Sequence, residues 1–385
     1  MNRIAFSLPG GEGTWTGGIN YLRSLVHAVS RVAAGSVDMS VYVGRRSDIT
    51  RLDMPPSTQI RRTALFDARS LPWWIDELAR RSLGRLPLLT RRMVADGIAV
   101  HSHGLPGRQS PLRTIGWIPD FQHVHLPQLF STHERGLRDR HFHALARHSD
   151  RVILSSDDAR RDFETFAPQA AGKARVLRFA ALPQDHRSLS RADVEHTYGI
   201  DRPYFYVPNQ FWVHKNHQCL IDALKIAAAR ESRLLVVCSG SPQDPRRPGH
   251  FEHLQRQIAE AGLATNLLFL GLVPYPHIAP LMHHAIALVN PSLFEGWSTT
   301  VEEAKALGVP RILSSLAVHV EQCGIDADYF PPDDPEALAA LLLRQWQRND
   351  GPRSEPHTSL ALAEHDRKVI AFGSGYLKLV SELLG

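Results

Sequence analysis

The sequence predicts an α/β protein built as two doubly wound domains. Three observations carry that expectation. Short apolar runs alternate with amphipathic helical segments along the whole chain, the pattern of parallel sheets flanked by helices. The length, 385 residues, accommodates two domains of roughly 150–200 residues, each with its own core. A polar stretch at residues 183–191, opened by Pro183, offers a boundary near residue 185.

Composition narrows the class. Hydrophobic content of 43% and charged content of 22% are those of a globular chain. No run of 18 apolar residues exists, so no membrane-spanning helix is expected. The start is broken too early by Pro9 and Gly10 to read as a signal peptide. Cys219, Cys238 and Cys323 are too far apart for a disulfide framework or a metal site, and point to a reducing cytoplasm. The 21 histidines lack metal-ligand spacing and read as surface or cap residues. Charge is uneven. Residues 1–185 carry 26 Lys and Arg against 17 Asp and Glu, a net of +9, and residues 186–385 carry 18 against 22, a net of −4. A basic first half favours an anionic acceptor or an anionic membrane surface.

Residues 3–8 read as the first buried strand. The glycine-rich residues 9–18 follow and open a helix with the apolar face Ile19, Leu22, Leu25, Val26 and Val29. Strand, glycine loop and helix is the order that brings backbone N–H groups up to a phosphate. Glycines 11, 13, 17 and 18 do not give the G-x-G-x-x-G spacing, and with it a nicotinamide oxidoreductase is set aside. A second strand is expected at 39–43. Residues 71–92 hold Trp73 and Trp74 beside arginines 80, 81, 85, 91 and 92. They read either as a helix with a packed tryptophan edge or as a segment that rests on a membrane surface or a lipid-linked acceptor. Residues 113–118 are the next strand, and Asp120 and His123 beyond its end point into the crevice where α/β sheets bind ligands. A strand at 151–155 precedes a helix capped by Ser156, Asp157 and Asp158.

The second domain opens with a buried strand at 204–207. Lys215, one of six lysines in the chain, follows within His214-Lys215-Asn216-His217, and a helix continues over 220–229. The strand at 234–241 ends in Ser239, Gly240 and Ser241, small enough to admit a ligand to the backbone. A charged, proline-rich loop at 242–249, a strand and turn at 267–275 and a short helix at 281–285 lead to a strand end at 286–289. Asn290, Pro291 and Ser292 break that strand. Thr299 with Glu302, and Thr300 with Glu303, fit the S/T-x-x-E capping box, so a helix is expected from Thr299 to the glycine cap at Gly308, with Pro310 barring continuation. The turn at 295–298 presents backbone N–H groups at a helix N-terminus, which suits a diphosphate. Glu295 and Glu303 flank that turn, and carboxylates beside a phosphate site suit the neutral hydroxyls of a sugar. A strand at 311–313, a helix from Glu336, a polar loop at 349–358 and a last helix at 365–384 complete the chain.

The segment from Phe294-Glu295-Gly296-Trp297-Ser298 through Glu303 to Gly308-Val309-Pro310 closely resembles the Glu-x7-Glu segment of retaining glycosyltransferases of family 4. Other stretches are similar to that family in the same order: Gly17-Gly18 with Tyr21-Leu22, Pro119-Asp120 with Gln122-His123, and His214-Lys215-Asn216-His217. The resemblance implies the GT-B fold: an acceptor-side domain at 1–185, a nucleotide-sugar-binding domain at 186–364, a helix at 365–385 returning to the first domain, and a donor site in the interdomain cleft. It implies retaining, metal-independent transfer of a sugar from a GDP- or UDP-sugar to a hydroxyl of a carbohydrate or lipid-linked acceptor. Cell-surface polysaccharide or lipopolysaccharide synthesis is the implied setting. No cofactor and no nucleic acid is implied, and the location would be cytoplasmic, with peripheral contact to the inner membrane face through the basic first domain.

By the same resemblance, Lys215 and N–H groups near Gly18 and Trp297–Thr299 hold the diphosphate. Glu295 takes sugar hydroxyls, Glu303 the ribose, and the turn near Leu272 lies by the base, with Gly17, Gly240, Gly296 and Ser298 lining the donor. Asp120 or His123 orients the sugar or acceptor. Two positions depart from the pattern. Pro119 stands where the family has a histidine, and Asn209 where it has an arginine, so His214 or an arginine from elsewhere must supply the second cation. A sugar-nucleotide epimerase of the same fold is one alternative, and the two departures leave a catalytically impaired sugar-nucleotide-binding protein as another.

Overall fold

In the computed structural model, the structure describes residues 2–7, 16–47, 53–67, 70–81, 88–104, 110–182, 184–349, 351 and 355–385. The chain forms two compact units. One comprises Met1–Phe121, Thr132–Ala181 and Arg367–Gly385, and the other Gln122–Ser131 and Leu182–Asp366. The ten residues from Gln122, which the sequence boundary leaves in the first domain, therefore belong to the second unit.

The first unit is built on seven parallel strands: β1 (Asn2–Ser7), β2 (Val37–Gly44), β3 (Thr58–Thr63), β4 (Val100–Ser102), β5 (Arg113–Trp117), β6 (Arg151–Leu154) and β7 (Ala174–Val176). Their order is β3-β2-β1-β4-β5-β6-β7. Ile4, Ala5 and Phe6 in β1 are fully buried, as expected of a parallel sheet covered on both faces. The second unit holds six parallel strands: β8 (Phe205–Val207), β9 (Val236–Cys238), β10 (Leu267–Phe269), β11 (Leu288–Asn290), β12 (Arg311–Ser314) and β13 (Asp328–Phe330). Their order, β10-β9-β8-β11-β12-β13, repeats the same reversal. Both sheets are thus Rossmann-like, with the order turning back between the first and fourth strands.

Several expectations shift at element ends. The first helix, Thr16–Ala33, already contains Gly17 and Gly18 in its first turn, and the preceding loop residues 8–15 lie outside the described residues. The expected helix at 281–285 is instead Tyr275–His283, because Pro274 and Pro276 prepare its first turn. The polar stretch at 349–358 ends sooner than expected, since the last helix spans Glu355–Leu384. Many histidines are core residues rather than surface ones: His101, His123, His214, His217 and His319 are all at most 5% exposed. Cys219, Cys238 and Cys323 are buried free thiols of the second unit. Among the described residues no helix is long and apolar enough to cross a membrane.

Within the first unit, the part of the last helix beyond Arg367 lies against Thr16–Ala33 at Gly373. A Cβ there would come within 2.3 Å of the Ala28 carbonyl oxygen, a backbone atom that cannot give way. Gly373→Ala should therefore destabilise the chain by about 1–3 kcal/mol, seen as a lowered Tm. Gly172→Ala, with nothing within 4 Å of the new methyl, should leave Tm unchanged.

Candidate active site

The reversal of the second sheet lies between β8 and β11. At such a point the loops leaving the two strands part and open a crevice at their carboxyl ends. Asn209, just past β8, donates from Nδ2 to Oδ1 of Asn290, the last residue of β11, at 3.4 Å. Asn290 is fully buried. Its Oδ1 also accepts from Ser292 Oγ at 2.6 Å, and its Nδ2 donates to Ser298 Oγ at 3.0 Å. One asparagine side chain thus sets the path of the whole turn after β11. Gly240 permits the approach from the other side. It has φ +150°, and a Cβ on it would meet the Asn209 carbonyl oxygen at 2.5 Å.

At the centre, Lys215 Nζ donates to Glu295 Oε1 at 2.6 Å, with the two side chains 16% and 9% exposed. Glu295 Oε1 accepts further from Ser292 Oγ at 2.7 Å and Asn290 Nδ2 at 3.4 Å. Burial alone would raise the Glu295 carboxyl. The ammonium of Lys215 and the nearby His319 overcome it, with the hydrogen bonds from Lys215 and Ser292, and hold it at about 2. Lys215 is aimed by Asn216, which turns the chain at φ +57° and donates to the carbonyls of Pro291 (3.1 Å) and Pro332 (2.8 Å).

His214 corrects an expectation. It is buried, and that burial, with the charges of Lys215 and Arg246 beside it, lowers its pKa to about 3. A neutral imidazole cannot be the second cation. An arginine that the sequence reading left in an unassigned loop does stand close. The Arg246 guanidinium lies 4.7 Å from the Phe130 ring centroid and 5.3 Å from that of Trp212, and donates to Gln122 Oε1 at 3.1 Å. Asp244 fixes this loop, accepting from the N–H groups of Val213 (3.1 Å) and Arg246 (3.0 Å). The segment Gln122–Ser131 is held on the same side by Arg247 bonding to the Gln128 carbonyl at 3.2 Å and by the rings of His125 and Phe294 at 5.1 Å. His123 is 2% exposed within this segment. Spacing along the chain gave no signal for Arg246, which lies 31 residues beyond Lys215.

The capping boxes expected at Thr299 and Thr300 do not form. The helix is Thr299–Ala306, its N-cap is Ser298, and the Ser298 side chain makes no capping bond. Gln322 takes over that function. Its Oε1 accepts from the Ser298 N–H at 3.3 Å, and its Nε2 donates to the Ser298 carbonyl and to Glu302, both at 2.8 Å. Glu302 is thereby committed inward, with Lys305 at 2.9 Å, and the Ser298 N–H is not one a phosphate would find open. Glu303, 8% exposed, accepts from the Tyr275 hydroxyl at 3.4 Å. Leu272 is 76% exposed on its turn. Gly296, Trp297 and Thr299 are half-buried around the turn.

Gly17, Gly18 and Asp120 belong to the first unit. Asp120 pairs there with Arg138 at 3.3 Å, a partner absent from the sequence reading. The residues that converge are therefore Asn209, His214, Lys215, Gly240, Arg246, Asn290, Glu295 and Ser298.

Residues 202–348 match the family described as Glycosyl transferases group 1. The O-antigen chain mannosyltransferase RfbU of Salmonella typhimurium is 30% identical over 139 residues, 36% of this chain and 37% of that protein. The O-antigen chain mannosyltransferase B of Escherichia coli is 33% identical over 112 residues, 28% of each chain. The matched segments thus span 37% and 28% of these relatives' length. Solved structures are similar over the full length. Sucrose-phosphate synthase from Thermosynechococcus elongatus superposes with a TM-score of 0.72 at 18% identity, covering 100% and 99% of the two chains. A glycosyltransferase from Rickettsia africae gives 0.69 at 14%, covering 100% and 98%. The chain has the two-domain, Rossmann-like GT-B fold, and the matched family supports a glycosyltransferase.

The ion pair has a pH signature. Glu295 is held at about 2 in the folded chain, below its ordinary 4.5, so the unfolded chain takes up its proton first. The stabilisation is complete above about pH 4.5 and is lost as pH falls toward 2. Lys215→Met, which strands the carboxylate, should destabilise by about 3 kcal/mol at neutral pH. That deficit should shrink as acid protonates Glu295, read by urea unfolding across the acid range.

Proposed function

We propose that this chain is a retaining, metal-independent glycosyltransferase that moves a sugar from a GDP- or UDP-sugar to a hydroxyl of a carbohydrate or lipid-linked acceptor. The setting is cell-surface polysaccharide or lipopolysaccharide synthesis on the cytoplasmic side of the membrane. The buried Lys215–Glu295 pair at the reversal point of a group 1 segment carries the proposal. The two O-antigen relatives favour a mannosyl residue as the sugar.

In this reading the bond between the anomeric carbon and the diphosphate breaks as the acceptor oxygen bonds to the same face of that carbon. The acceptor proton passes to the departing phosphate oxygen. Lys215 and Arg246 meet the growing charge on the diphosphate, and fixed charges in a site with little water act strongly on it. Arg246 takes the place of the arginine expected at Asn209, while Asn209 instead holds the turn through Asn290. Glu295, kept ionised, accepts from sugar hydroxyls, and Glu303 with Tyr275 receives the ribose. His123 or Asp120 orients the sugar or acceptor, and His214, neutral, acts as a hydrogen-bonding partner rather than a charge.

Three measurements test this. UDP or GDP should raise Tm of the wild-type chain by mass action, and Lys215→Ala and Glu303→Ala should reduce the shift. No shift with any nucleotide in a folded sample would sink the donor site. Arg246→Ala should lower kcat by roughly 10- to 100-fold, measured as nucleotide released with sugar acceptor present in EDTA, with Arg246→Lys in between. Proton NMR of the first product formed should show the anomeric configuration of the donor.

A further inference from the structure

The helix Leu71–Arg81 of the first unit is folded with its polarity inverted. Leu71, Trp74, Ile75 and Leu78 fall at spacings of three and four and so share one face. That face points outward, with the four side chains 73%, 57%, 47% and 69% exposed. The side chain turned inward is an acid. Asp76 is 1% exposed and accepts from the Leu89 N–H at 3.0 Å, which fastens the next helix, Leu88–Ala95, to this one. Trp73 is half-buried and lies edge-on to Trp74 at 4.8 Å. Four large apolar side chains on three turns of one surface helix form a patch that water does not favour.

We propose that this helix docks flat on an anionic lipid bilayer. The charge around it selects that occupant. The helix fastened to it by Asp76 presents Arg91 and Arg92, both exposed. The half of the sequence that contains it carries a net charge of +9, by the count of 26 Lys and Arg against 17 Asp and Glu in residues 1–185. An apolar stripe with a tryptophan, bordered by arginines, is the composition of helices that lie in the headgroup layer: the stripe enters the acyl boundary and the guanidinium groups meet lipid phosphates. Eleven residues are too few to cross the bilayer.

Co-sedimentation of the full chain with vesicles, without any nucleotide sugar, tests the docking apart from the transfer reaction. The wild-type chain should pellet with vesicles of phosphatidylglycerol in phosphatidylcholine, more weakly with phosphatidylcholine alone, and less as salt rises. Trp74→Ser combined with Leu78→Ser should weaken binding about tenfold or more while leaving Tm and nucleotide binding unchanged, since both side chains are exposed. Arg91→Gln should weaken binding to the anionic vesicles alone. Equal sedimentation of wild type and the double variant would overturn the proposal. So would a dimer in solution that the double variant abolishes while wild type ignores vesicles, which would assign the face to a second copy.

Discussion

Glu295 sits where little water reaches it, and an ionised carboxylate is tolerated there only while Lys215 stays 2.6 Å away. Removing two charges from water is unfavourable unless their geometry is good and the remaining lone pairs are satisfied. Much of the second unit's local architecture serves that requirement. Ser292 and Asn290 supply hydrogen bonds to the same carboxylate oxygen, Asn290 is steadied by Asn209 from the neighbouring strand, and Gly240 leaves room for Asn209 to come close. Asn216 is bent into the left-handed region to deliver the lysine. A change at any of these positions reaches the ion pair within three contacts.

What the sequence conveys and what it hides divides along physical lines. Alternating apolar runs are enough to read a parallel α/β chain, since strands buried on both faces must be apolar throughout. The turn after Asn290 stands out for the same reason: proline, glycine and paired carboxylates are rarely decorative together. The failures involve residues far apart in sequence. The N-cap is Ser298 rather than Thr299 or Thr300, and its helix end is held by Gln322, 24 residues on, which no local capping rule contains. Arg246 and Gln122 meet across 124 residues. The charge state of His214 follows from its burial, from Lys215 beside it and from Arg246, and of these its local sequence records only Lys215.

The helix Leu71–Arg81 shows another kind of limit. Its periodicity is legible as an apolar stripe, yet a stripe has no sign: the same spacing serves a helix packed inward and one turned outward. In the folded chain Asp76 faces the protein, accepting from the Leu89 N–H, while Leu71 and Leu78 face away.

The three cysteines carry a consequence of a practical kind. Burial pushes the Cys219 thiol up to about 12 and raises Cys238 and Cys323 as well, so in the native chain they offer almost no thiolate to an alkylating reagent. All three lie in the second unit, and the sequence has no others. The rate at which they become labelled is then an intrinsic clock for the opening of the second unit alone. The first unit is silent to it, and its unfolding can be followed separately.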